Sequence, residues 1–372
     1  MIYVVKRGDS VFSISQQYGI SMEQIMYDNQ LYGQRHLVVG QALFLAEENG
    51  ESVCSSLFTA GYAYPFINSE LLREVLVSID RLLVFSYGFT MGGELIAPLA
   101  DDLPLIEQAW NAEVVPFLVL TPFGADGRFN NNLISQLVHN VEVQNQLIEN
   151  LLTLVQERGY GGVDVDFEFI LPGDREAFAQ FVGRLRERMN TFGYSVSVAL
   201  APKVSAGQPG LLYEGIDYRL LGENADQVFL MTYEWGYTYG PPMAIAPINK
   251  VREVVSYAVT EIPVGKILMG IPNYAYDWPL PFIQGVTAAK ILGNVEAVHL
   301  AAEKNAEILF DKTAMSPYFF YWEEGIQHVV WFEDVRSIEA KLNLAKEYSL
   351  LGVGYWNLMR PFRANWKLLG NC

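Results

Sequence analysis

The sequence predicts an α/β protein: a (β/α)8 barrel carrying a small α+β insertion between its seventh and eighth strands, preceded by a small strand–helix–helix–strand unit. Three observations carry this expectation. Beyond residue 54, eight apolar, β-rich runs alternate with helical periodicity over a length that suits such a barrel. The alternative, a doubly wound open sheet, lacks the Gly-rich phosphate loop that should follow its first strand. The first 46 residues pattern separately and are cut off by the polar stretch "EENGES".

In chain order, "YVVKRGD" reads as a strand entering a turn, and "SVFSISQQYG" as a helix with Ser10 at its N-cap and Gly19 at its C-terminal end. "SMEQIMYDNQ" reads as a second helix, with Ser21 and Gln24 spaced for a capping box, and "GQALFLA" as the closing strand. Residues 1–46 thus form one domain, 47–53 a linker, and 54–372 the TIM-type barrel domain. Its strands are expected at 56–64, 81–87, 114–120, 162–169, 194–201, 227–233, 266–274 and 352–358, with helical patterns such as "NNLISQLVHNVEVQNQLIENLLTLVQERG" between them. The long interval at about 279–328, with aromatic runs such as "PYFFYW", is expected to form the inserted lobe.

Composition narrows the function. The 372 residues are 51% hydrophobic and 18% charged, which calls for a large packed core. A net charge of −17 argues against a nucleic-acid partner and against electrostatic attachment to anionic lipids. No apolar run has the roughly 20 residues needed to cross a membrane, and the first residues do not read as a signal peptide. The four histidines show no metal-ligand spacing, and neither a metal nor a cofactor is expected. Cys54 and Cys372 make no disulfide framework. Both fall at the bottom of the expected barrel, so a bond between them is one hypothesis and free thiols the other.

The chemistry concentrates in "GGVDVDFEF", residues 161–169. Side chains alternate along a strand, so Val163, Val165 and Phe167 face the helices while Asp164, Asp166 and Glu168 point inward, about 7 Å apart along the backbone. Like charges in a dry site cannot all ionise cheaply, and at least one proton is retained. Glu168, nearest the C-terminal mouth, is placed as a general acid, with Asp164 and Asp166 holding and tuning it. A calcium loop would need polar, Gly-bearing turns that this strand lacks.

These residues resemble glycoside hydrolase family 18, the chitinase-like enzymes. "GGVDVDFE" is similar to the family's D-G-x-D-x-D-x-E motif, "MTYE" (231–234) to its Met-x-Tyr-Asp motif on strand six, and "YWNL" (355–358) to its Trp-bearing strand eight. The resemblance implies that Glu168 is the general acid/base, that Asp166 orients the substrate's N-acetyl group, and that Asp164 shares a proton with Asp166. It also implies that Tyr233 hydrogen-bonds the acetamido oxygen, that Trp356 floors the cleaved sugar, and that Met231 makes an apolar contact nearby. Glu234 stands where the family has Asp, one methylene longer. Gly161 replaces the first Asp of the motif, Phe167 a common Trp, and "VLTPFG" the third-strand Ser-x-Gly-Gly.

Residues 1–46 resemble a LysM domain, which binds N-acetylglucosamine-containing glycans. The turn Gly8–Asp9–Ser10 and the stretch Asn29–Leu31 match that family's two binding loops, although capping alone would also explain Asp9 and Ser10. The combination resembles the spore cortex-fragment-lytic N-acetylglucosaminidases of endospore-forming bacteria. It implies a monomeric, retaining, substrate-assisted enzyme acting on peptidoglycan in the spore cortex or cell wall. A chitinase and a non-catalytic glycan-binding lectin are the alternatives. Tyr62, Tyr64, Tyr87 and Phe89, near the ends of the first two strands, and Asn273 and Tyr274, ending the seventh, are candidate sugar contacts.

Overall fold

The structure, a computed structural model, describes residues 1–46, 57–123 and 130–370. The linker at 47–53, Cys54 and Cys372 lie outside the described residues. Eight parallel strands close into a barrel: Phe58–Ala63, Arg81–Phe89, Val115–Leu120, Gly162–Val165, Ser195–Leu200, Gln227–Leu230, Ile267–Pro272 and Gly352–Trp356. Each pairs with its neighbours, and the eighth pairs with the first from Gly352 opposite Phe58 to Tyr355 opposite Gly61. Both faces of these strands are covered, which is why they read as continuous apolar runs.

Two local departures from the sequence reading have clear causes. The run 131–158 is two helices, Asn131–Val138 and Val141–Arg158, because the Asn140 side chain accepts from the backbone N–H groups of Glu142 and Val143 and starts the second helix. The fourth strand's ladder stops at Val165 rather than running to Phe169. Asp166 still donates its N–H to Leu120 O at 2.9 Å, but Phe169 takes a left-handed φ of 55° and turns the chain out of the barrel. The alternation of faces survives the break. Phe167 stacks on Phe178 and Phe181 of the helix Arg175–Asn190, with ring centroids 5.7 and 6.1 Å apart.

The inserted lobe is a five-stranded antiparallel sheet backed by the helix Asn294–Glu303; its strands run from Ala275 to Trp331, wider at both ends than the aromatic runs alone mark out. Phe319, Tyr321, Val330 and Phe332 form its apolar core.

The N-terminal unit pairs the strands Ile2–Val4 and Ala42–Phe44 around the helices Val11–Tyr18 and Met22–Asp28. Ser10 closes a capping box with Ser13, and Gly19 ends the first helix in a left-handed conformation. Ser21 caps the second helix, but no box closes there: the Gln24 amide donates instead to Asp28 at 2.6 Å.

This unit is packed onto the barrel domain. Arg336 donates to Gly40 O at 3.0 Å, Ile308 N to Val39 O at 3.0 Å and Arg363 N to Gln30 Oε1 at 2.7 Å, while Val38 joins the lobe's core. Gly40 has φ 85°, and a Cβ there would sit 1.9 Å from Ile308 O. Gly40→Ala should therefore cost about 2 kcal/mol or more in denaturant unfolding. Gly33→Ala, at a similar φ of 86° but in open space, should cost about 1 kcal/mol. Equal losses would mean that the contact between the two domains contributes little.

Candidate active site

Asp164, at the end of the ladder, is fully buried inside the barrel. Its Oδ2 accepts from Tyr62 OH at 2.8 Å and its Oδ1 from Ser197 Oγ at 2.5 Å. Burial pushes its carboxyl up, partly offset by those hydrogen bonds and by the Arg81 guanidinium lower in the barrel. Both Asp164 oxygens thus accept hydroxyl donors, from strands one and five.

Asp166 is the group left under-satisfied. It lines the cleft, and its buried Oδ1 has no hydrogen-bond partner among the described residues. Burial first, then the charges of Glu168 and Asp164, push its carboxyl well above the ordinary value. Glu168, half-buried at the mouth, is also raised, by burial and then by the charge of Glu234. A raised acid at the rim of a cleft is still protonated where an ordinary glutamate has ionised, as a proton donor must be.

The sixth strand ends at Leu230, and Met231, Tyr233 and Glu234 just after it turn into the cleft. Met231 and Tyr233 line it. Tyr233 is buried, its hydroxyl pushed well up by burial and the surrounding carboxylates. Glu234, at φ 67°, is held by the hydroxyls of Tyr274 and Tyr276. The longer side chain at this position thus still reaches the cleft wall. Trp356 ends the eighth strand, with Tyr62 and Phe85 packed edge-on against it at 5.3 and 5.1 Å. Together these side chains bound a cleft of about 240 Å³. A second groove of about 440 Å³ shares Glu234 and Trp356 and is lined by Tyr64, Phe66, Tyr276 and Arg360. A larger cleft, about 820 Å³, lies between the N-terminal unit and the barrel flank, where Arg363 already pairs with Glu74 at 2.5 Å. The convergent carboxyls lie in the smaller cleft, which marks that one as the site.

Glu168, Asp166, Tyr233, Glu234, Met231, Tyr62 and Trp356 come together here. Other expected contacts do not. Asn273 is buried and spends its amide on Asn357 O and Arg360 O, both at 2.9 Å, so it braces the loop after strand eight. Tyr87 bonds Asp102, and Phe89 stacks on Phe167 outside the barrel wall. In the N-terminal unit, Asn29 ties its helix to Phe44 through both amide atoms, and Leu31 is core. Asp9 accepts from Tyr3 OH and Lys6 N, both at 2.7 Å, which holds its carboxyl below the ordinary value. Gly8 and Ser10 remain exposed beside it.

Sequence reasoning missed Pro202, Leu212 and Tyr213, which reach the cleft from the loop after strand five, and Trp235. Trp235 adjoins the strand-six motif and was findable by proximity; the loop residues carry no local signal. Among the described residues no group of three His, Cys, Asp or Glu is placed to hold a metal, and no helix is long and apolar enough to cross a membrane.

The profile of glycosyl hydrolases family 18 matches residues 119–360, and that of the LysM domain residues 3–46. The chain is 38% identical to a cortical fragment-lytic enzyme of Bacillus cereus, over 99% of this chain and 97% of that protein. It is 37% identical to one of Bacillus subtilis, over 100% and 97%. The crystal structure of the Bacillus cereus spore cortex-lytic enzyme SleL superposes with a TM-score of 0.92 at 34% identity, covering 100% of this chain and 97% of that one.

Because Asp166 is raised by its surroundings, the folded state holds its proton more tightly than the unfolded state does. Stability is therefore lost as pH rises from the ordinary carboxylate range through the raised value, and the deficit is present above it. Asp166→Asn should raise stability at neutral pH by about 1–2 kcal/mol, with the gain shrinking below about pH 4. Thermal unfolding across pH measures this, and a pH-independent difference would contradict it.

Proposed function

The chain belongs to the glycosyl hydrolases of family 18, and from that premise we propose that it is a retaining β-N-acetylglucosaminidase that cleaves peptidoglycan by substrate assistance. The observation that carries this reading is the unpartnered Oδ1 of Asp166 in a cleft where Glu168, at the rim, is raised by burial and by the charge of Glu234. An unsatisfied buried carboxylate oxygen is costly, and a substrate amide N–H is the partner its chemistry calls for.

In this reading a sugar lies over Trp356, with its 2-acetamido N–H donated to Asp166 and its carbonyl oxygen accepting from Tyr233 OH. Glu168 gives its proton to the glycosidic oxygen as that bond breaks. The acetamido oxygen forms the new bond to the anomeric carbon, giving an oxazolinium ion whose charge the carboxylates stabilise. Glu168, now ionised, takes a proton from water, which opens the ring on the same face and restores the original configuration. No second carboxylate nucleophile is required. The relatives' names point to spore cortex as the setting, and the LysM unit would hold N-acetylglucosamine-containing strands near the cleft.

Glu168→Gln should lower kcat on cortex fragments by about 10²–10⁴-fold with substrate binding retained, and a variant as active as wild type would remove the assignment. Product mass spectrometry should find N-acetylglucosamine at new reducing ends. Turnover of chito-oligosaccharides in preference to cortex fragments would favour a chitinase instead. Glu234 raises the acid, so Glu234→Gln should lower Glu168's pKa and move the alkaline limb of the kcat/KM profile to lower pH. An unmoved limb would mean that Glu168 does not set it.

A further inference from the structure

The loop between strand five and the helix Tyr218–Asn224 carries Pro202, Leu212 and Tyr213 into the cleft beside Glu168. It is held by a lysine that the proposed chemistry does not use. Lys203 is 1% exposed, and its ammonium donates to Ile216 O at 2.6 Å and Ala206 O at 3.2 Å. One cation thus joins the two ends of the loop. Its own backbone N–H donates to Tyr218 OH at 2.8 Å, and that hydroxyl donates to Ala201 O at 2.6 Å. From outside, Arg175 Nε donates to Glu214 O at 2.9 Å, and Glu214 Oε1 accepts from Gly210 N at 2.9 Å. At Gly215 the loop lies so close to the chain leaving Glu168 that a Cβ would sit 2.0 Å from Ile170 O.

Burying a lysine against backbone carbonyls is costly, and burial pushes its pKa down. Its donors fix the span that presents Leu212 and Tyr213. The cleaved sugar lies over Trp356, and Glu168 must reach the bond to the leaving group. Strand five pairs with strand four, and Gly215 lies against Ile170, whereas Trp356 ends strand eight, so this loop stands on the Glu168 side of the mouth, the side we assign to the leaving group.

We propose that Lys203 is a positioning residue that sets the leaving-group side of the cleft, holding Leu212 and Tyr213 against a saccharide leaving group. This rests on the glycosidase reading above. It predicts a split by substrate. A glycan places a sugar against this wall, whereas an aryl β-glycoside of N-acetylglucosamine or its dimer places only a small ring there.

The test compares Lys203→Met, Tyr213→Ala and the double variant on both substrates in the full chain. In Lys203→Met, kcat/KM on peptidoglycan fragments should fall about tenfold or more, chiefly through KM, while the aryl substrate changes by less than about threefold. Tyr213→Ala should show the same split, and the double variant should be little worse than either single one, because the lysine acts through the tyrosine. Equal losses on both substrates, or additive losses in the double variant, would overturn the proposal. If Lys203→Met does not fold, Arg175→Ala, which frees the same loop from its half-buried outer side, must reproduce the split or the proposal fails. A wild-type protein inactive on both substrates would refute the glycosidase reading itself, a result separable from these.

Discussion

Desolvation of Asp164, Asp166 and Glu168 at the mouth of one parallel barrel is the constraint on which the rest of the site depends. Their inward row forbids full ionisation, and each neighbouring element responds to it. Tyr62 and Ser197 hand Asp164 two hydroxyl donors. Arg81 supplies positive charge from below, and Glu234 adds negative charge from the rim. The outcome is graded: a satisfied inner acid, an unsatisfied middle one held well above its ordinary value, and a raised outer one at the rim. That gradient follows from depth along the fourth strand and from which hydroxyls reach each acid.

The gradient also accounts for the architecture around it. A parallel barrel collects the C-terminal ends of its strands at one face, so motifs far apart in sequence meet there. The fourth strand must leave its ladder early, at Val165, to lift Glu168 out of the barrel, and the left-handed Phe169 completes that turn. The stacked Phe89, Phe167, Phe178 and Phe181 pin the other face of the same segment. The strained exit is thus backed by apolar packing, not by further polar groups that would disturb the acids.

The parts legible in the sequence are those with a local signature. All eight barrel strands were readable because strands covered on both faces are continuous apolar runs, and the acids stood out because they interrupt one. Trp356, Met231 and Tyr233 followed from short motifs. What escaped depends on partners far away in the chain. Asn29 and Asn273 read as sugar contacts, yet each amide is consumed by backbone from a distant segment. The loop holding Tyr213 has no periodicity, and its placement comes from Lys203 and Arg175. The seating of the N-terminal unit on the barrel was equally hidden, since it is written in single contacts such as Gly40 against Ile308 O.

The central claim is that the substrate's own acetamide is the nucleophile, so the most direct measurement varies that group alone. Aryl β-glycosides of N-acetylglucosamine, or of its dimer, with zero to three fluorines on the reacting acetyl group should show kcat/KM falling steeply with each fluorine, because fluorine drains electron density from the attacking carbonyl oxygen. A rate independent of fluorination would contradict the account and require a nucleophile from the protein.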